Sequence, residues 1–235
     1  MPCEGQDLGG YHLGMTFLIA FIVPMVIGFW AQHRVKTTFA RNLEVPVANG
    51  MSGAQVARRI LDANGLNEVP IEETPGSLSD HYDPRSKSVH LSPEVFRGVS
   101  VASTSVAAHE VGHALQHAQA YAFFKFRSAM FPAVQFASNI WVLFLIGGIF
   151  FQITGFIVLA VALYSIAVLF QIVTLPVEFD ASSRARRQLS ELGLVIASEG
   201  AGVKSVLKAA AWTYVAGALA AVAMLLYYLS MLQNR

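Results

Sequence analysis

No Asp, Glu, Lys or Arg occurs between Arg127 and Glu178. One membrane crossing takes about 20 residues, so this charge-free stretch is too long for a single span. It fits two spanning helices, Phe131–Phe151 and Phe156–Leu175, reversed at Gln152-Ile153-Thr154-Gly155. Composition agrees: charged residues make up 13% of the chain, about half the share in soluble domains, and mean hydropathy is +0.51. The chain therefore has to be built around a membrane hairpin.

Two further runs have the same character. Leu8 to Gln32 is free of charge, and Leu13–Ala31 is apolar enough to span. A cleaved signal peptide would need a basic N-terminus. Here Glu4 and Asp7 precede the run and Arg34 and Lys36 follow it, which reads as an anchor. Ala209–Leu232 makes a fourth span, with Trp212 and Tyr214 at one end and Tyr227 and Tyr228 at the other. Of 16 Lys and Arg, ten lie in 33–128 and five in 178–208. The positive-inside tendency puts both segments in the cytoplasm and both termini outside. Net charge of +1 gives no field to attract nucleic acid. The one cysteine, Cys3, cannot form an intrachain disulfide and is read as inert.

The larger polar segment carries the chemistry. Ser52 with Gln55 is a capping box, and Val56, Ala57, Ile60 and Leu61 form a helical stripe ending near Gly65. Val69–Thr74 and Lys87–Ser92 read as strands. Ser92-Pro93 starts a short helix broken at Gly98, and a longer helix follows over Val101–Ala120. On it lies His109-Glu110-Val111-Gly112-His113. Residues four apart share a helix face, so the two imidazoles can grip one metal ion, with the Glu110 carboxylate beside whatever that ion holds.

A catalytic zinc takes three protein ligands and leaves a fourth position open. His117 lies one further turn along. That turn adds about 5.4 Å of rise, against zinc–nitrogen bonds of about 2.0–2.1 Å, so a polar position near the helix end suits it better. Glu178, the first charge after the hairpin, returns to the surface that Arg127 left. Topology alone allows it to be a ligand or merely the end of a span.

The runs Met51-Ser-Gly-Ala-Gln-Val-Ala-Arg-Arg-Ile-Leu, Asp80-His-Tyr-Asp-Pro-Arg, Ala107-Ala-His-Glu-Val-Gly-His-Ala-Leu-Gln-His and Val177-Glu-Phe-Asp-Ala-Ser-Ser-Arg-Ala resemble the bacterial membrane-bound neutral zinc metallopeptidases of the YugP type. The wider relatives are the gluzincins, which include prenyl-protein and heat-shock membrane proteases. The resemblance implies one zinc per chain, held by His109, His113 and Glu178, with Glu110 as general base in peptide-bond hydrolysis. Relatives often carry an Asp four residues after the ligand Glu, bonded to a ligand His. Ser182 stands there in this chain and Asp180 lies two residues earlier, so the partner is one of these two. His81, Tyr82 and Arg184 are candidates to stabilise the oxyanion. By analogy with gluzincins, Val89, His90 and Leu91 form an edge strand that pairs with an extended peptide.

The expected protein is a mainly α integral membrane protein of the inner (plasma) membrane: four transmembrane helices with a small cytoplasmic α+β zincin-like catalytic domain. Its parts are an N-terminal span (1–32), the catalytic domain (33–128), the hairpin (129–177), a cytoplasmic helical segment (178–208) and a C-terminal span (209–235). Expected partners are peptides or unfolded membrane proteins and the lipid bilayer. Two other readings stand beside this one. Val99–Phe124 could place the zinc within the bilayer, but the chain lacks the Leu-Asp-Gly of intramembrane zinc proteases. A structural zinc would want four protein ligands, often Cys, and would leave Glu110 idle.

Overall fold

A computed structural model describes residues 8–233, with side chains from residue 20 onward. Cys3, Glu4, Asp7 and Arg235, and the side chains of the first half of the expected N-terminal span, lie outside the described residues. The described chain is mostly helical, with one small sheet. The elements are α1 (Leu8–Leu43), α2 (Gly53–Ala63), β1 (Ile71–Glu73), β2 (His81–Asp83), β3 (Ser88–Leu91), α3 (Pro93–Phe96), α4 (Val101–Ala118), α5 (Ala122–Phe150), α6 (Thr154–Glu191) and α7 (Gly200–Gln233).

Among the described residues three helices, α5, α6 and α7, are long and apolar enough to cross a membrane. Their apolar side chains point outward: Phe150 is 78% exposed, Leu143 66% and Phe136 64%. Such a surface suits hydrocarbon and not water. The α5–α6 reversal is tighter than expected, with only residues 151–153 between the helices. Pro176 does not end α6, which continues without a break to Glu191. The second arm of the hairpin and the polar segment after it are therefore one rod.

The polar part packs around α4, whose side chains are buried on every face from Val101 to Gln116 except at the half-buried Val106. That explains its Ala, Ser, Val and Gly content. A helix surrounded by protein has no polar face, and small side chains let neighbours approach. One core joins Val56 and Ile60 of α2, Val89 of β3, Val111 of α4, Leu189 of α6 and Leu207 of α7. α4 is not among the helices fit to span. The α2 start shows the full capping box: Ser52 accepts from Gln55 N–H, and Gln55 accepts from Ser52 N–H at 2.9 Å.

The sheet departs from expectation in two ways. It has a third strand, β2, and its order is β1-β3-β2, with β1 parallel and β2 antiparallel to β3. Val89, His90 and Leu91, expected on an edge strand, lie on the central one, where β1 and β2 take up the backbone groups on both sides. They cannot pair with a peptide. The outer strand on that side is β2.

Candidate metal centre

α4 presents His109 and His113 one turn apart, with ring centroids 4.9 Å from one another. α6 crosses beside it and delivers Glu178, 2% exposed. Glu178 Oε2 lies 3.2 Å from His109 Nε2 and 3.6 Å from His113 Nε2. The three donor atoms all lie within 4.8 Å of one another, the one such group among the described residues.

The crossing is close because of Gly112. A Cβ there would come within 2.6 Å of the Ala181 carbonyl oxygen, a backbone atom that cannot swing aside. Gly112→Ala is expected to push α6 away from α4, to lower stability by about 1–3 kcal/mol as overpacking does, and to weaken metal retention. Thermal melting and bound zinc per chain measure the two effects. An unchanged melting point together with full zinc content would contradict the close approach.

The outer nitrogens of both rings have partners that set which nitrogen faces the metal position. Gln116 Nε2 donates to the Val177 carbonyl at 2.7 Å and to Asp180 Oδ2 at 2.8 Å. Its Oε1 is thus the atom facing His113 Nδ1, at 3.0 Å. An amide oxygen only accepts, so His113 Nδ1 carries the proton and Nε2 offers its lone pair. Ser182 Oγ lies 3.2 Å from His109 Nδ1, leaving His109 Nε2 toward Glu178. Two imidazoles with their outer nitrogens engaged and one carboxylate form a donor set suited to catalytic zinc.

Asp180 and Ser182 both reach the two imidazoles, by different routes: Ser182 directly on His109, and Asp180 through Gln116 on His113. Arg184 does not line the cavity in front of the centre. Its Nε donates to Asp180, its Nη1 donates to Gln119, and its guanidinium lies over the Tyr121 ring. His117, the polar residue near the end of α4, shares a 2.9 Å hydrogen bond with the Tyr82 hydroxyl.

A cavity of about 790 Å³ opens in front of Glu110, His113 and Glu178. His81 and Tyr82 of β2 line one side; Phe131, Phe170 and Tyr214 from the apolar helices line another. His81 is exposed, stacks on His90 at 4.7 Å, and its Nδ1 lies 2.8 Å from the Ser79 carbonyl oxygen. Glu110 accepts from the Tyr82 backbone N–H, and burial pushes its carboxyl up to about 7. Sequence reasoning missed three residues here. Gln116 is one. Arg127 donates to Glu178 Oε1 at 3.3 Å, and the Tyr214 phenol reaches the same carboxylate. Gln116 follows His113 by three positions, a same-face spacing that was available as a signal. Arg127 and Tyr214 carried none.

Residues 17–233 match the family model described as "Putative neutral zinc metallopeptidase". The chain is 45% identical over 220 residues to the "Putative membrane protease YugP" of Bacillus subtilis (strain 168), covering 94% of this chain and 98% of that one. No solved structure matches.

Proposed function

The chain belongs to the neutral zinc metallopeptidase family, and from that membership and the geometry of its buried donor set we propose that it is a membrane-bound zinc endopeptidase. His109, His113 and Glu178 hold the ion. When bound, zinc supplies Lewis acidity that brings the pKa of a coordinated water toward about 7 and polarises the scissile carbonyl. The observation that carries the reading is the convergence of Glu178 from α6 on the two α4 imidazoles, with Glu110 at the mouth of the same cavity.

Each residue then has a task. Glu110 takes the proton of the attacking water and passes it to the leaving amine. Its burial raises the carboxyl above the usual range, which favours its holding the proton it takes. Arg127 neutralises and orients Glu178. Gln116 and Ser182 fix the two rings. His81 and Tyr82 remain the candidates for an oxyanion donor on the cavity side of the sheet. The outer edge of β2, beside Glu110, takes the role first expected of β3: an extended substrate segment pairs there through the Tyr82 carbonyl, the Tyr82 N–H being held by Glu110.

The membrane arrangement proposed is four-span, with α1 as the first. Trp30 of α1 meets Trp212 of α7 edge-on at 5.9 Å, so α1 runs beside a span. The two polar segments face the cytoplasm at the inner membrane and assemble the zincin-like catalytic part, whose substrates are unfolded peptides or membrane proteins.

The test is metal removal. Full-length protein purified in detergent is expected to cleave an unfolded protein substrate, to stop when treated with 1,10-phenanthroline, and to recover when zinc is returned. Cleavage that persists after the chelator has removed all bound metal would overturn the proposal.

A further inference from the structure

A second, smaller crevice of about 190 Å³ opens between α6 and α7. Arg186 of α6 and Lys204 and Lys208 of α7 line it, with no acidic side chain among the lining residues. All three cations are exposed. Among the described residues none of them forms an ion pair, whereas Arg127 and Arg184 nearby both do. Three unneutralised cations around one hollow create a local positive potential that favours an anion.

The crevice is graded along its length. α6 and α7 are joined by the short connection 192–199, and they run antiparallel. On α6 the lining passes from Phe179, next to the apolar run, outward to Arg186. On α7 it passes from Ala211, next to the apolar run, outward to Lys204. Seven residues of helix separate the ends on each strand of the pair, about 10 Å at 1.5 Å per residue. Both walls thus start from an apolar residue at the membrane end and finish on a cation, with Ser182 between them on α6 and Lys208 and Leu207 between them on α7. Phe179 is 50% exposed with no polar role. A free anion would use the cations and leave this apolar end unoccupied. A phospholipid would use both, with its phosphate at the cations and its glycerol and chains beside Phe179 and Ala211.

We propose that this crevice binds the phosphate headgroup of an anionic phospholipid at the membrane surface. Basic pockets between spanning helices recognise such headgroups through the same charge and position. The crevice shares no lining residue with the catalytic cavity, although Ser182, which also contacts His109, lies in its wall; its occupancy can be read without any assay of proteolysis.

The experiment is native mass spectrometry of the full chain released from detergent, titrated with phosphatidylglycerol or with phosphatidylcholine of the same acyl chains. One phosphatidylglycerol per chain is expected to be retained in preference to phosphatidylcholine. Replacing Arg186, Lys204 and Lys208 together by Gln is expected to weaken that retention roughly a hundredfold, at about one kcal/mol per cation. Lys204→Arg with Lys208→Arg keeps the charge and is expected to keep the lipid, which separates loss of the site from loss of the fold. A control with Arg34, Lys36 and Arg41 replaced by Gln removes equal charge from the end of α1 and is expected to bind normally. Equal retention of the two lipids would overturn the proposal, as would an equal loss in the control. Displacement of phosphatidylglycerol by inorganic phosphate at about its own concentration would assign the site to free phosphate and overturn the lipid assignment.

Discussion

Glu110→Gln is expected to lower peptide cleavage by about 10²–10⁴-fold, the range a positioned proton-transfer group supplies, while zinc content stays at one per chain. The amide matches the carboxyl in size, so the 7% exposed site keeps its packing and the Tyr82 N–H keeps an acceptor. What disappears is the ability to take a proton from water. The donor atoms that could hold zinc belong to three other side chains, so the metal is not expected to leave with it. Cleavage rate and zinc analysis on the same preparation check both halves. Loss of zinc along with activity would move Glu110 from proton transfer into the metal's coordination. Unchanged cleavage would remove the hydrolase assignment altogether.

Glu178→Gln is expected to have the opposite signature: zinc and activity fall together. A neutral amide oxygen is a weaker donor than a carboxylate. The substitution also removes the negative charge that Arg127 faces at 3.3 Å. Removing a partner that only orients a ligand already costs about 10–100-fold in metal affinity, so loss of the ligand itself is expected to exceed that. Zinc titration against a competing chelator measures it. Retention of wild-type affinity would show that the carboxylate is not a ligand, whatever its distance from the imidazoles.

What could be read from the sequence follows a physical division. Local signals were legible. Ser52 and Gln55 announce a helix start because both bonds of the capping box lie within four residues. The HEVGH spacing specifies two imidazoles on one face by helical periodicity alone. The apolar runs of α5, α6 and α7 stand out because lipid tolerates little charge. Signals that depend on a distant partner were not legible. β2 is three residues long and exists only because β3 supplies its ladder, so nothing in His81-Tyr82-Asp83 marks it as a strand. Sheet order is likewise a property of the assembled fold, and the edge position expected of β3 rests on the gluzincin analogy alone. The end of the span at Leu175 was read from hydropathy, which reports where solvent begins and not where the helix stops. Gln116 shares a helix face with His113, which the spacing shows; how its amide is turned depends on the Asp180 carboxylate and Val177 carbonyl that α6 brings to it, which the spacing does not show.

The unbroken course of α6 carries a consequence for how the enzyme is made. The acid that would complete the metal centre stands on the same continuous helix as the apolar second arm of the hairpin, two residues after Pro176. A ribosome delivers the two imidazoles first and the acid some seventy residues later, after both arms of the hairpin have been synthesised. Under the membrane arrangement proposed above, completion of the centre follows placement of the hairpin, so a variant whose hairpin is disrupted is expected to lose bound zinc along with its membrane association.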